Sequence, residues 1–182
     1  MQVEKTDIEG VLIITPKQFS DHRGSFFEAY NHLRFTEATG LSPQWLQDNE
    51  SRSLINVVRG LHLQIPPFDQ EKLVRVTRGA VYDVAVDLRP SSTTFKKYFG
   101  ILLSAENRKQ LYIPKGFAHG FKVLEDDTIF SYKCSNVFSS EHERSILWND
   151  RDLSIDWEIE NAVLSEKDNS APSFADFKNP FE

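Results

Sequence analysis

The sequence predicts an all-β fold, and a jelly-roll barrel with few short helices is its natural architecture. Three observations support this expectation: short apolar runs alternate as strands do, turn residues separate them, and a single segment has a helical pattern. The connections are too short to place a helix between successive strands, as a parallel α/β sheet requires. Functional residues should therefore lie on strand positions that face the barrel interior, where a small ligand fits.

The clearest strands are two runs in the middle of the chain, 73–77 and 80–88. Gly79 lies in the turn between them, because glycine adopts positive φ at little cost. In the second run one face carries Tyr82, Val84, Val86 and Leu88, whereas Asp83 and Asp87 share the other. This period of two predicts a strand with one buried face.

Further strands and one helix complete the predicted architecture. Turn signals that contain glycine, asparagine or proline separate the strand candidates. The helix covers 31–39, and 150–156 is either a short helix or a loop. The remaining strand candidates are 11–15, 26–30, 97–103, 110–114, 117–123 and 128–134.

Composition restricts the class of protein. The 182 residues contain no repeat and no Pro/Gly/Ser-rich linker, which indicates one domain over residues 1–182. The single cysteine, Cys134, cannot form an internal disulfide and fits a reducing cytoplasm. The net charge of −6 argues against a general nucleic-acid binder. No apolar stretch approaches the ~20 residues that span a bilayer and no signal peptide is visible, so we expect a cytoplasmic protein without membrane contact.

The segment Arg59-Gly60-Leu61-His62-Leu63-Gln64 combines an anion ligand with a titratable base. The alternative interpretation is an ordinary polar strand end. Lys72 also has two interpretations: a solvated lysine at a strand start, or an ammonium group that stabilises an oxyanion at a barrel mouth. The local sequence leaves both choices open.

The segment 114–121, Pro-Lys-Gly-Phe-Ala-His-Gly-Phe, places His119 after a Pro/Gly turn and among aromatic residues. It resembles the second motif of cupin barrels, Pro-x-Gly-x-x-His. Metal-binding cupins also need a His-x-His pair, whereas His62 is followed by Leu63 and Gln64. Too few histidines remain for a dedicated metal site, so we expect no metal. The other histidines lie in polar stretches and should be at the surface: His22, His32 and His142.

Two further residues have both a structural and a chemical interpretation. Tyr132, on the last strand candidate, fits a core tyrosine with a satisfied hydroxyl, and it also fits a general acid that protonates a carbanion. The run 164–168, Leu-Ser-Glu-Lys-Asp, fits a solvated charge cluster. A carboxylate in this run can also orient a histidine that is distant in sequence, as in a catalytic triad.

An ordered set of motifs runs along the chain: Asp21-x-Arg23-Gly24-x-Phe26-x-Glu28, Gln47-Asp48-Asn49-x-Ser51, Arg59-Gly60-Leu61-His62-x-Gln64, Lys72-Leu73-Val74, Pro114-x-Gly116-Phe117-Ala118-His119-Gly120-Phe121, Tyr132-Lys133, Trp148-Asn149-Asp150, Ile155-x-Trp157 and Leu164-Ser165-x-Lys167-Asp168. Each motif is short, and the specificity lies in their combination and order. The set closely resembles the dTDP-4-dehydrorhamnose 3,5-epimerase family over residues 3–172.

The resemblance implies a cupin-like jelly roll that works as a homodimer without metal or nicotinamide. It implies conversion of dTDP-4-dehydro-6-deoxy-D-glucose to dTDP-4-dehydro-L-rhamnose, in dTDP-L-rhamnose synthesis. The C-4 ketone of this sugar acidifies the hydrogens on C-3 and C-5, so a base can form an enolate. By the match, His62 is the base, Asp168 orients it, Tyr132 donates a proton from the opposite face, and Lys72 stabilises the enolate oxygen.

The same resemblance implies a set of substrate-binding residues. Arginine suits phosphate oxygens because its guanidinium is planar, and Phe138 falls where the family stacks an aromatic ring on thymine. Arg23 and Glu28 are expected to reach the site of a partner subunit on a swapped N-terminal strand. The implied binding residues are Arg23, Glu28, Gln47, Asp48, Asn49, Arg59, Lys72, His119, Phe138, Glu143 and Lys167.

Two departures from the family pattern keep alternatives open. Glu50 stands where many members have histidine, and Phe138 stands where many have tyrosine. One alternative is a mono-epimerase that inverts only C-3 or only C-5 of a related dTDP-4-keto-6-deoxy sugar, or a nucleotide-sugar ketoisomerase. Alternatives from another class are a metal cupin and a non-catalytic sugar-binding barrel. The intact Tyr132 favours double epimerisation, and His62 together with the Tyr132-Lys133 match favours epimerisation over ketoisomerisation.

Overall fold

The fold is that of a computed structural model, which describes residues 1–181. Within them the chain forms strands, the helices α1 (His32–Thr39) and α2 (Glu166–Asn169), and a 3-10 turn at Phe174–Asp176. The strands are β1 (Gln2–Lys5), β2 (Leu12–Thr15), β3 (Gln18–Asp21), β4 (Gly24–Phe27), β5 (Gln47–Ser53), β6 (Val58–Gln64), β7 (Lys72–Arg78), β8 (Ala80–Asp87), β9 (Tyr98–Ser104), β10 (Gln110–Ile113), β11 (Phe117–Val123), β12 (Thr128–Cys134) and β13 (Glu143–Ser145).

The strands form two large antiparallel sheets and one separate hairpin. The six-stranded sheet has the order β1-β2-β10-β7-β12-β5, and the five-stranded sheet has the order β13-β6-β11-β8-β9. Side chains from the inner faces of both sheets, among them Val74, Phe121 and Phe130, pack into one hydrophobic core. This architecture confirms the all-β prediction. Strands β3 and β4 form a two-stranded sheet of their own.

Other parts of the chain cover the outer faces of both sheets. Helix α1 places Phe35 in a buried cluster with Leu73 of the six-stranded sheet. The C-terminal segment places Trp157 in a second cluster, together with Val84 and Val86 of the five-stranded sheet. Strand β8 is therefore enclosed by the barrel core on one side and by the C-terminal segment on the other.

The expectation that β8 has only one buried face is wrong, because both of its faces are buried. Val84 and Val86, whose face was predicted to be the buried one, pack under the C-terminal segment. Asp83 and Asp87 lie on the same face as Ala85, which belongs to the core between the sheets, and both carboxylates are fully buried. The alternation identifies two faces but not which one meets water, because the covering segment lies more than 60 residues away in sequence.

The predicted helix and most predicted strands are confirmed. Helix α1 begins after Asn31, whose side chain accepts a hydrogen bond from the Arg34 N–H, and it ends at Gly40 with φ +74°. The strand predicted at 26–30 is displaced, since β4 ends at Phe27. Residues 150–156 form turns and irregular structure rather than a helix. None of the helices within residues 1–181 is both long and apolar enough to cross a membrane.

The predictions for the surface histidines are confirmed in part. His22 and His32 are exposed. His142 is half-buried instead, because its ring packs against Phe68 at a centroid distance of 4.6 Å and its Nδ1 lies 2.8 Å from the Ser139 hydroxyl.

Candidate active site

A cavity of about 380 Å³ lies at the inner faces of the two sheets. Its walls come from β5, β7 and β12 of one sheet and from β6, β11 and β13 of the other. Most of its side chains are polar or charged although it lies inside the barrel, and polar groups that converge in a pocket can fix the orientation of a ligand. The lining residues are Gln47, Asn49, Glu50, Ser51, Arg59, His62, Leu63, Gln64, Gln70, Lys72, His119, Phe121, Tyr132, Cys134, Phe138 and Glu143.

Strand β5 supplies a row of polar side chains to this cavity. Gln47, Asn49 and Ser51 are spaced by two residues, so they share one face of the strand. The intervening Asp48 lies on the other face, where it forms an ion pair with Lys133 at 3.0 Å. Because both faces are polar, the strand lacks the apolar alternation by which strands are recognised in a sequence.

His62 lines the cavity and forms a close ionisable pair with Asp168. His62 Nε2 lies 2.5 Å from Asp168 Oδ1, and 106 residues separate them in sequence. Burial alone would raise the pKa of Asp168, but the hydrogen bonds from His62 and from the Gly60 N–H outweigh it and lower the pKa below its ordinary value. Asp168 is therefore a carboxylate at neutral pH and holds the proton of the imidazole on Nε2.

The short helix α2 positions the Asp168 carboxylate. Ser165 precedes the helix, and its hydroxyl accepts a hydrogen bond from the Asp168 N–H at 3.1 Å. Val163 forms an isolated bridge with Val57 just before β6, which ties this part of the C-terminal segment to the strand of His62. A residue from the end of the chain thereby reaches the barrel interior.

Gly60 allows the strand of His62 to approach its neighbour closely. It has φ +124°, and a Cβ built on it would lie 2.6 Å from Gly120 Cα and 2.8 Å from the His119 carbonyl oxygen. Any side chain at this position would push β6 away from β11. The approach brings His62 and His119 into direct register as cross-strand partners.

Lys72 and Tyr132 lie together on the opposite sheet. The ammonium of Lys72 is 5.9 Å from the centroid of the Tyr132 ring. Burial lowers the pKa of Lys72, opposed by the negative groups around it, which include Asp83 and Glu143. Burial raises the pKa of Tyr132 above its ordinary value, so the phenol keeps its proton at neutral pH.

His119 is buried, and its Nε2 lies 2.8 Å from Asp83 Oδ1. Desolvation lowers the pKa of His119 although Asp83 opposes the shift. The imidazole stacks near Phe130, with centroids 5.9 Å apart and planes inclined by 23°. The structure therefore holds this second imidazole in one orientation.

Phe138 projects at the mouth of the cavity with 53% of its surface exposed. Its backbone N–H donates to Gln47 Oε1 at 2.8 Å, and Gln47 in turn donates to Asn49 Oδ1 at 2.8 Å. The next N–H, of Ser139, donates to Gln64 Oε1 at 3.0 Å. The loop is thus held from both sheets, and the ring is free to stack on a ligand.

Charged groups surround the same mouth. Arg59 Nε donates to the Ser53 hydroxyl at 3.1 Å, which leaves the terminal nitrogens of its guanidinium available to an anion. Lys167 forms an ion pair with Glu143 at 2.5 Å. Lys167 itself does not belong to the cavity lining, but this ion pair places it at the edge.

Besides Lys167, three of the predicted binding residues lie outside the cavity lining of a single chain. Asp48 faces the outside of β5, as described above. Arg23 is on the β3–β4 hairpin, where it pairs with Asp21 at 2.6 Å. Glu28 pairs with Arg34 at 3.2 Å beside α1. Their roles in binding stay predictions.

Several lining residues were not among the predicted site residues. Gln64 had a signal in the sequence, because it follows His62 by two residues and so shares its face. Asp83, which does not line the cavity but bonds the lining residue His119, had a misleading signal, since its alternation with valine predicted a strand with only one buried face. No group of three His, Cys, Asp or Glu side chains within residues 1–181 is arranged to hold a metal ion.

Comparisons with known proteins identify one family over nearly the whole chain. A family model described as dTDP-4-dehydrorhamnose 3,5-epimerase matches residues 5–176. The dTDP-4-dehydrorhamnose 3,5-epimerase of Shigella flexneri is 51% identical over 176 residues, which are 97% of each of the two chains.

Solved structures give the same result. The crystal structure of dTDP-4-dehydrorhamnose 3,5-epimerase from Elizabethkingia anophelis has a TM-score of 0.93 at 52% identity, covering 98% of each chain. The structure of dTDP-6-deoxy-D-glucose-3,5-epimerase from Legionella pneumophila, in complex with dTDP-4-keto-L-rhamnose, has a TM-score of 0.93 at 44% identity and covers 97% of this chain and 94% of that one. The similarity includes the C-terminal segment that carries Asp168.

Proposed function

Because the chain belongs to the dTDP-4-dehydrorhamnose 3,5-epimerase family, we propose that it inverts C-3 and C-5 of dTDP-4-dehydro-6-deoxy-D-glucose, with His62 as the base and Tyr132 as the proton donor. The observation that carries this proposal is one cavity lined by a carboxylate-paired imidazole, a phenol and an ammonium group. Its epimerase activity in dTDP-rhamnose synthesis follows from the family.

The base is the imidazole of His62. Asp168 accepts the hydrogen bond from Nε2, so the lone pair of the neutral ring lies on Nδ1 and is available to take a proton. When the imidazole becomes charged, the carboxylate stabilises it. A positioned general base of this kind contributes about 10² to 10⁴-fold to the rate.

The proton donor is the phenol of Tyr132. Its hydroxyl has no hydrogen-bond partner within residues 1–181 and it lines the cavity, so it is free to meet the substrate. His62 removes the proton from one face and keeps it, and Tyr132 donates its own hydroxyl proton to the other face, which inverts the carbon; proton exchange with solvent then restores both groups. Lys72, next to the phenol ring, supplies the cation that stabilises the negative oxygen of the intermediate enolate.

The nucleotide part of the substrate takes the mouth of the cavity. Arg59 presents free guanidinium nitrogens to the diphosphate, and Lys167 lies at the edge. Phe138 stacks on the thymine, and the polar inner row of β5, Gln47 and Asn49, provides hydrogen-bonding groups.

We also propose a homodimer, and the β3–β4 hairpin supports this proposal. An isolated two-stranded hairpin is at best marginally stable in water, and Phe19 and Phe26 of this hairpin are 53% and 70% exposed. A second copy of the chain covers these rings and receives Arg23 and Glu28 at its own cavity. The cytoplasmic location and the absence of a cofactor stay predictions.

The test is incubation with dTDP-4-dehydro-6-deoxy-D-glucose in D₂O, followed by NMR of the sugar. The proposal expects deuterium at both C-3 and C-5 and the L-rhamno configuration of the product. Deuterium at a single carbon would assign a mono-epimerase instead. No incorporation at either carbon would contradict enolate chemistry and leave a binding protein.

A further inference from the structure

Asp83 is a buried carboxylate that the mechanism above does not use. It lies on the inner face of β8 with no exposed surface. One oxygen, Oδ1, accepts from His119 Nε2 at 2.8 Å, whereas Oδ2 has no hydrogen-bond partner within residues 1–181. A buried carboxylate with an unpaired oxygen is costly, and a fold retains it only where a nearby positive charge compensates for it.

The charges around Asp83 identify that compensating group. Burial lowers the pKa of His119, so the imidazole is neutral at neutral pH. Cys134 is uncharged as well, because burial raises its pKa. Lys72, on β7, is the remaining cation: it lines the same cavity as His119, the hydrogen-bonded partner of Asp83, and the charge of Asp83 acts on it. Glu143 on β13, like Asp83, raises the pKa of Lys72. His62 on β6 lowers the pKa of His119.

We propose that Asp83 is a positioning residue of the epimerase, with two roles: it fixes the tautomer and orientation of His119, and it provides the buried counter-charge that keeps Lys72 an ammonium ion. The first role follows from the hydrogen bond, because a carboxylate only accepts and His119 Nε2 must therefore carry the proton. This places the acceptor nitrogen, Nδ1, on the side of the ring away from Asp83. The second role rests on the proposed function of Lys72 as the group that stabilises the enolate.

The chain offers a matched control on the same strand. Asp87 is also fully buried and lies four residues further along β8, but its partners Arg89, Ser92 and Thr94 do not line the cavity, whereas His119, the partner of Asp83, does. Asp83→Asn and Asp87→Asn each remove one buried negative charge from β8. Only the first removes it beside Lys72 and His119.

The experiment measures deuterium exchange and dTDP binding for both variants. We expect Asp83→Asn to lower kcat by about 10²-fold, as loss of an oxyanion stabiliser does, with dTDP affinity changed by less than about threefold. Asp87→Asn should change kcat by less than about threefold, whatever its effect on thermal stability. Equal kcat values for the two variants would overturn the proposal.

The pH profile separates the proposed role from a structural one. Without Asp83, desolvation of Lys72 is less opposed, so its pKa falls further and the alkaline limb of kcat moves to lower pH. In Asp87→Asn the limb should stay where the wild type has it. An alkaline limb of Asp83→Asn that coincides with the wild-type limb would contradict the counter-charge role.

A measurement on the wild-type protein does not depend on the folding of any variant. In ¹⁵N NMR of the histidine rings, His119 should have its proton on Nε2 at neutral pH, with its signals assigned through the proximity of its ring to that of Phe130. A proton on Nδ1 would overturn the positioning role. The outcomes are distinguishable from failure of the proposed function, because wild-type deuterium exchange tests that function separately and the tautomer requires no activity.

Discussion

His62 and His119 are direct cross-strand partners on β6 and β11, and each imidazole is hydrogen-bonded to its own buried aspartate. The two aspartates come from opposite directions: Asp168 from the C-terminal segment and Asp83 from the neighbouring strand β8. The side-chain exposures of the two rings differ, 31% for His62 and 7% for His119. The more accessible ring is therefore the one assigned as the base, and the buried ring helps to shape the cavity.

The first prediction concerns His62→Ala. Removal of the imidazole should lower deuterium exchange at C-3 and C-5 by at least about 10²-fold, because no other base in the cavity has a carboxylate partner and comparable access. Calorimetric titration with dTDP should give an affinity close to that of the wild type, since His62 is assigned to the sugar. Exchange at the wild-type rate would show that the base is another residue.

The second prediction concerns stability in acid. The folded pKa of Asp168 lies below the ordinary value of 3.8, so its ionisation favours the folded state above about pH 4. This contribution is lost as the pH falls through the folded pKa. The melting temperature of the wild type should therefore exceed that of Asp168→Asn most at neutral pH, and the difference should shrink below pH 4. A difference that grows on acidification would contradict the assignment.

The third prediction tests the close approach of β6 and β11. Gly60→Ala should destabilise the fold by about 2–4 kcal/mol, because its Cβ meets the backbone of Gly120 at 2.6 Å and its φ is positive. Gly24→Ala is the matched control, with φ +126° and nothing within 4 Å of the added atom. Urea unfolding of both variants separates the cost of positive φ, which both share, from the steric overlap with Gly120, which only Gly60→Ala has. Equal losses of unfolding free energy would mean that the approach to Gly120 is unimportant.

The fourth prediction concerns Phe138. Loss of the ring in Phe138→Ala should raise KM by about tenfold or more, since stacking of one base is worth about 1–3 kcal/mol. Phe138→Tyr keeps the stack and should leave KM within about threefold of the wild type. Steady-state kinetics with both variants provide the comparison. An unchanged KM in the alanine variant would place the thymine elsewhere.

The sequence pattern predicts the strands of the middle of the chain because their apolar alternation is strong. It did not reveal β5, because the inner side chains that line the cavity, such as Gln47 and Asn49, are as polar as the outer ones. It misplaced the acidic face of β8, because the C-terminal segment that covers Val84 is distant in sequence. Local pattern describes a strand, and the layers on either side of it depend on contacts that the pattern does not contain.

The candidate site was predictable mainly through the resemblance to a known family. His62, Tyr132 and Lys72 do line one cavity, and Asp168 meets His62 across 106 residues of chain. Spacing alone does not predict such a pair, because no periodicity links two positions so far apart. Asp83, the partner of His119, was missed because the alternation on β8 predicted only one buried face, and the C-terminal segment that buries the other one is distant in sequence.

The most direct test of the account is the reaction of Tyr132→Phe in D₂O. The variant keeps the ring and loses the phenolic proton, so His62 still removes a proton but no acid returns one from the other face. The account predicts that deuterium enters the sugar with the original configuration retained, while inversion at C-3 and C-5 falls by about 10²-fold or more. Inversion at the wild-type rate would contradict the central claim that the imidazole and the phenol act on opposite faces of the keto sugar.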